Sequence, residues 1–355
     1  MQARRPGWGH GRKADGAPDP GEASGAKERI ESDGNVAADE DDPAYRFDPA
    51  TLAAPRREGI SAFMRVRNGE DFIALAIESH LPHLDEIVVC HNRCTDATVP
   101  ILEGLRERHP DKLKVFEYAP RVHPAGSALH RSTPWRSVHS LANYYNFALA
   151  RTGCRVVMKL DDDHVAIGES VARITDAIRA RGCRLGNRMH CFSGINLTLS
   201  GGRLAPLDYR SFAGHGDHWY FEASPRTFFT RDRRFERLER RGLVREYHGL
   251  AYWHLKYLKR GEGFANYELD GNPDSRYHKQ LEAYRRGRRP IGFDELAGRC
   301  RERVAKESRW PRPWLRALDD KRRLKFERAR RFDADEARRW LAEAEPAIRA
   351  ALREV

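Results

Sequence analysis

Apolar residues along this chain fall into short runs separated by polar helical stretches, and the alternation is regular from Gly59 to about residue 182. Ile60 to Val66 reads as a first strand, closed by Arg67-Asn68-Gly69. Glu70 and Asp71 open a helix whose apolar face runs through Ile73, Leu75 and Ile77 to His80, with acids at its positive end. Glu86 to Cys90 is uniformly apolar after its first residue, as in a strand covered on both faces. After the turn His91-Asn92-Arg93-Cys94, Thr95 or Asp96 caps a helix reaching about Arg108. Leu113 to Tyr118 is a third strand, residues 119–135 a Pro- and Arg-rich loop, and Arg136 to Ala150 a helix. That helix leads to a fourth strand, Arg155 to Leu160. Strands alternating with helices predict an α/β fold with a mostly parallel sheet and right-handed crossovers.

Asp161-Asp162-Asp163-His164 stands where the fourth strand ends. Three carboxylates packed at a buried strand's edge repel one another unless a cation neutralises them. Oxygen ligands of this kind suit Mn²⁺ or Mg²⁺. Ligands of open α/β sheets bind outside the carboxyl ends of the strands, where this cluster is placed. A solvated acidic turn capping the helix that starts near Gly168 is the plainer reading of the same residues.

Beyond about residue 183 the pattern changes to short β-like pieces, Ser193 to Leu199, Trp219 to Phe221 and Arg226 to Phe229, interleaved with Gly and His. From about residue 275 the chain turns helical and basic. Trp314, Leu315, Leu318, Leu324 and Phe326, then Trp340, Leu341, Ala344 and Ile348, form apolar stripes that predict packing onto the preceding domain ahead of membrane contact. The division expected is therefore a disordered tail over 1–57, an α/β domain over 58–270 with halves 58–182 and 183–270, and a basic helical extension over 271–355. The tail reading rests on its Gly, Pro, Ala, Asp and Glu content.

A formal charge of +12 favours anionic partners without choosing among sugar nucleotides, lipid headgroups and nucleic acid. The basic helices match no nucleic-acid motif, which argues against that partner. No long apolar run or export signal is present, and six cysteines stand without C-x-x-C pairs, so a cytoplasmic chain with reduced thiols is expected.

Met64 to Asp71, Glu86 to Thr98 and Leu160 to Asp163 together resemble, in order and spacing, three motifs of family 2 glycosyltransferases. These are a strand running into R-N-E, a second strand followed by D-N-G-S-T-D-G-T, and D-x-D. The resemblance covers residues 59–170 well and 171–260 loosely. It implies a GT-A fold and an inverting, metal-dependent transfer from a nucleoside diphosphate sugar to a hydroxyl acceptor of unread identity. Arg65, Arg67, Asn92, Asp96, Lys159, Asp161 and Asp162 are then expected at the nucleotide sugar, with Asp161 and Asp163 on the metal. His91 stands where the family has the Asp that recognises the base, and an imidazole cannot accept two hydrogen bonds as a carboxylate does. The Glu after R-N is displaced by Gly69.

For the second half, Asp217 within Gly214-His215-Gly216-Asp217-His218-Trp219 is the first choice of catalytic base, with Glu222 and Glu236 as competitors. By analogy with GT-A enzymes, His254 or His248 closes the metal site and Lys256 faces the phosphates. Two other functions fit parts of the sequence. A phosphotransferase or nuclease uses such acids to hold two ions, and a non-catalytic basic module acts through the C-terminal helices. Charge alone also allows peripheral contact with an inner leaflet and a lipid-linked or envelope polysaccharide precursor as acceptor.

Overall fold

A computed structural model describes residues 42–231, 236–308 and 320–354, the side chains of 215–217, 353 and 354 excepted. Trp314, Leu315, Leu318 and the acidic run before Asp42 lie outside the described residues.

The alternation in the first half produces β1 (Arg57–Val66), α1 (Ile73–His80), β2 (Glu86–His91), α2 (Thr98–Arg108) and β3 (Leu113–Glu117). A short α3 (Ala128–Ser132), α4 (Leu141–Ala150), β4 (Cys154–Lys159), β5 (His164–Ala166) and α5 (Gly168–Arg179) follow. The second half supplies β6 (Arg188–Ser200), β7 (Arg203–Pro206), β8 (Phe212–Glu222), β9 (Phe229–Arg231), β10 (Glu236–Leu238) and β11 (Val244–His254). Four helices come last: α6 (Arg276–Gly287), α7 (Phe293–Ser308), α8 (Asp320–Arg331) and α9 (Ala334–Glu354).

The main sheet runs β3-β2-β1-β4-β8-β6-β11-β5, with β7 alongside β6. β3, β2, β1 and β4 are mutually parallel, so their carboxyl ends share one edge. β8 then enters antiparallel to β4, with Met158 opposite Tyr220. An antiparallel neighbour runs backwards past its partner's end, so the residues preceding Tyr220 lie beyond Lys159, beside the acidic cluster. β11 is parallel to β6 and antiparallel to β5, which aligns Asn196, His254 and His164 in one row. The α/β class expected from the sequence is present, with its parallel order concentrated in β1–β4.

The buried residues form layers on the sheet. α1, α2 and α5 cover one face through Ile73, Ile77, Leu102, Leu105, Ile174 and Ile178. α4 covers the other with Tyr144, Phe147 and Leu149. Part of the stretch expected to be a tail belongs to this second layer. Asp42 and Asp48 cap short 3₁₀ turns at Pro43–Tyr45 and Pro49–Ala53, and Leu52 is buried. Composition marks such a segment as polar, whereas one leucine and Tyr45, stacked on Phe147 at 5.6 Å, are enough to seat it.

The C-terminal stripe also packs inward. Trp340, Leu341 and Ile348 of α9 are buried with Val165, Leu197, Trp253 and Leu255, and the Trp340 indole donates to Glu169 Oε2 at 3.0 Å. Among the described residues no helix is long and apolar enough to cross a membrane.

Candidate functional site

Two loops at the carboxyl edge, 66–71 and 92–98, are locked together before any ligand is considered. Asn68 donates to Thr95 Oγ1 and accepts from the Thr95 amide, at 3.1 and 2.8 Å. Asp96 accepts from the amides of Glu70 and Thr98 and from the Thr98 hydroxyl, while Glu70 accepts from the Ala97 amide. Asn68 and Arg93 have positive φ, a conformation Asn tolerates better than most residues. The first two motifs therefore form a reciprocal clamp, and Asp96 is turned into it, away from the cavity. His91, at the end of β2, also lies outside the cavity lining, whereas its neighbour Asn92 lines it. The Asn92 amide is engaged by the carbonyls of Tyr118 and Pro120.

The cavity, of about 510 Å³, opens at this edge and is lined by Arg65, Arg67, Asn92, Lys159, Asp161, Asp162, Asp163, His164, His218, His254, Lys256 and Lys259 among others. It brings together nine of the fifteen residues singled out from the sequence. Gly69 explains the displaced glutamate of the first motif. A Cβ there would sit 2.6 Å from Asp162 Oδ2, so glycine is what lets the acidic cluster approach this turn.

Two lysines serve the three carboxylates. Lys159 Nζ lies 2.8 Å from Asp161 Oδ2. Lys259 Nζ lies 2.8 Å from Asp162 Oδ2 and 3.1 Å from Asp163 Oδ2. Burial pushes the Asp161 carboxyl up, but Lys159, followed by His164 and His218, outweighs it and holds Asp161 well below the usual range. Asp162 goes the other way, raised by burial and by Asp163 against the pull of Lys259. Asp163 is held low because Lys259 and His254 overcome its burial.

Two overlapping sets of potential metal ligands occur here, Asp163 with His164 and His254, and Asp161 with His164 and His218. His254 Nε2 is 3.4 Å from Asp163 Oδ1, and Nδ1 is hydrogen-bonded to Asn196 Oδ1. An amide oxygen only accepts, so Nδ1 donates to Asn196 and Nε2 is the nitrogen turned toward Asp163. His164 Nε2 stands 3.7 Å from Asp161 Oδ2 and 3.9 Å from Asp163 Oδ1. Burial keeps the His164 ring neutral, its pKa well below the ordinary value. The ring is held by Tyr252, stacked on it at 3.8 Å. Tyr252 lies flat because its partner in register is Gly194, where a Cβ would meet the ring at 2.3 Å. Carboxylates and neutral imidazoles with their lone pairs inward are donors that fit Mn²⁺ or Mg²⁺, the imidazoles favouring Mn²⁺.

The cavity's remaining wall is cationic and aromatic. Arg65 lies over the Tyr145 ring at 4.1 Å and donates to its hydroxyl. Lys256 sits among Phe264 and Tyr267, its ammonium 3.3 Å from the Tyr267 hydroxyl, and burial lowers its pKa. The segment carrying Lys256 and Lys259 is tied across the first loop. Arg260 pairs with Asp71 at 2.6 Å, Asn266 Nδ2 donates to the Arg67 carbonyl at 2.7 Å, and Arg67 pairs with Glu268 at 2.7 Å.

The two proposed bases part company. Asp217 lies on β8 between Gly214 and His218, both of which line the cavity, and its side chain is outside the described residues. Glu222 lies at the far end of β8, paired with Val156, and accepts from the amides of Leu185 and Gly186. It holds a turn and is remote from the cluster. Glu236 is bonded to His130 at 2.8 Å, and His248, six residues before His254 on β11, is outside the cavity lining. Sequence reasoning missed His164 and His218 as ligands, Asn196 as the residue that orients His254, and Lys259. His164 carried a signal, since it follows the acids directly and opens an apolar triplet. A single lysine in a basic, loop-rich stretch carries none.

No family model matches this chain, and no curated protein matches it. Solved structures do, at low identity. S. aureus TarS 1-349 is 14% identical, over 56% of this chain and 61% of that one, with a TM-score of 0.34. The same protein in complex with UDP is 20% identical over 42% and 38%, with a TM-score of 0.28. Glucosyl-3-phosphoglycerate synthase from Mycobacterium tuberculosis, in complex with Mn²⁺, UDP and phosphoglyceric acid, is 19% identical over 44% and 47%, with a TM-score of 0.26. This chain spans less than two thirds of the length of each. The overlaps are shallow, and what the site does follows from its own residues.

Proposed function

We propose that this chain is a glycosyltransferase, moving a sugar from a nucleoside diphosphate sugar to a hydroxyl acceptor with inversion. The observation that carries the reading is the pairing of opposites in one cavity. Asp163, His164 and His254 offer a cation site, with Asp161 and His218 sharing His164 beside it, and Arg65, Lys159 and Lys256 line the same cavity as cations for an anion. A metal diphosphate is the ligand class that needs both. Asp161, Asp163 and His254 would hold Mn²⁺ or Mg²⁺, with His164 available to either carboxylate. The ion supplies Lewis-acid neutralisation of the departing diphosphate.

The chain's own groups do the rest. Arg65 and Lys256 face the diphosphate, Arg65 fixed by Tyr145 and Lys256 by its aromatic surround. Asp162, paired with Lys259, stands ready to accept from a sugar or ribose hydroxyl once that lysine moves. Asp217 remains the proposed base, taking the proton of the acceptor hydroxyl. The bond from Arg67 to Glu268 and that from Arg260 to Asp71 tie the segment carrying Lys256 and Lys259 across the cavity's mouth. We place the protein in the cytoplasm, with a lipid-linked or envelope precursor at an inner leaflet as the acceptor suggested by its basic C-terminal helices.

The two-ion phosphotransferase reading is weaker on one point. Both ligand sets draw on His164 Nε2, and one lone pair serves one ion. Thermal melts against a panel of nucleoside diphosphates, UDP among them, with and without Mn²⁺, test the proposal without knowledge of the acceptor. A metal-dependent rise with one diphosphate, lost in Asp163→Ala, is expected. No rise with any of them overturns it.

A further inference from the structure

A second group of ligand-type side chains lies away from the cleft. His190 sits on β6, and Glu246 and His248 sit on β11. The parallel register sets Glu246 against His190, and the two-residue period of a strand turns His248 to the same face. The pairing is irregular after Tyr247, where Gly249 has φ +122°, so the strand bulges beside His248. One ligand atom from each residue lies within 4.8 Å of the others.

His190 is 2% exposed, yet neither of its ring nitrogens has a hydrogen-bond partner among the described residues. His248 Nε2 is likewise without one, 4.0 Å from Glu246 Oε2. The two imidazoles stack at 4.0 Å. Buried polar groups are almost always satisfied, so a fully buried ring with two idle nitrogens, stacked on a second imidazole and in register with a carboxylate, asks for a ligand.

We propose that His190, Glu246 and His248 form a second metal site, for an imidazole-preferring divalent ion such as Zn²⁺ or Co²⁺. Two neutral imidazoles and one carboxylate are a known ligand set for a four-coordinate ion that keeps one position open. His248 and Glu246 are 26% and 37% exposed, which gives the ion a route in. Lone pairs lie in the ring plane, so His248 must rotate out of its stack to bind. Arg188 pairs with Glu246 at 3.4 Å, a contact for which an ion would compete.

The test is titration of the full chain with Co²⁺, read by its visible absorption and by stoichiometry. The expected result is one Co²⁺ more in the wild type than in His248→Ala, with an absorption band lost in that variant. Glu246→Gln, at an exposed edge where folding is not at stake, is expected to weaken the same band at least tenfold. Circular dichroism of each variant matching the wild type keeps the comparison sound. Because the readout is a difference at His248, it stands whether or not the Asp163 site binds the ion. Equal stoichiometry and equal spectra in the wild type and His248→Ala overturn the proposal.

Discussion

Replacing Lys259 by methionine removes the one ammonium that bridges Asp162 and Asp163, at 2.8 and 3.1 Å. All three side chains are at most 16% exposed, so solvent screens the loss poorly. At an effective dielectric of about 20, each contact represents roughly 5 to 6 kcal/mol of gross attraction. Desolvation offsets most of this, and removing one member of such a buried pair costs about 3–5 kcal/mol. The melting temperature should fall by roughly 6 to 20 °C, at 2–4 °C per kcal/mol. Two further signs follow. Mn²⁺ should raise the melting temperature more in Lys259→Met than in the wild type, because ion and lysine neutralise the same carboxylates. The variant should also melt lower at pH 8 than at pH 5.5. Asp162 is already pushed up by burial and by Asp163, and without its lysine it folds best protonated, so its contribution is lost as pH rises. Scanning calorimetry with and without 1:1 metal reads all three. A variant as stable as the wild type, or one with no larger Mn²⁺ response, refutes the assignment of Lys259 as the resident counter-charge.

Gly194→Ala should destabilise the fold by about 1–3 kcal/mol and weaken Mn²⁺ binding together, since the new Cβ collides with the ring that seats His164; denaturant melts and metal titration check both. Glu222→Gln should lower stability by about 1–3 kcal/mol and leave donor binding intact, because its carboxylate serves two backbone amides. Asp217→Asn should retain donor binding and lose turnover, and the reverse pattern in the pair would exchange their roles. His80, buried and donating from Nδ1 to the Ala76 carbonyl, has its pKa lowered by burial to about 4. The unfolded chain takes up that proton first, so stability is complete above pH 6.5 and declines as pH falls towards 4, on the order of 3 kcal/mol in all. Urea melts from pH 7 to 4.5 should show this slope, and His80→Gln should flatten it.

How much was legible before the structure varied with the range of the interactions. β1 to β4 and the helices α1, α2, α4 and α5 were readable because their signals are local: an apolar run, an acid at a helix start, a polar turn; α3, inside the expected loop, and the three-residue β5 were not. Most of the motif residues gather at the cavity, while His91 and Asp96 do not. Asp96 clamps two loops, and from sequence alone a carboxylate that holds backbone amides is indistinguishable from one that meets a ligand. The same ambiguity made Glu222 a candidate base. The entry of β8 antiparallel between β4 and β6 left no local trace, because its strand is interrupted by Gly214 and Gly216 and by histidines that break the period. With that insertion unseen, His218 could not be placed beside Asp161, nor Asn196 behind His254. Lys259 was beyond reach for the same reason, its partners lying 97 residues earlier in the chain.

The ties across the mouth of the cavity join residues 189 to 201 positions apart. On the ribosome, the first half can complete its parallel strands while the residues that close the cavity are still unmade. Long-range closure of this kind is slow because the loop entropy is lost before the contacts form. A nascent or truncated chain ending before Lys256 would therefore present its acidic edge uncapped, lacking Lys256, Lys259 and Arg260. Competence for ligand is acquired late in synthesis, and premature termination anywhere before that point yields an α/β scaffold with no closed site.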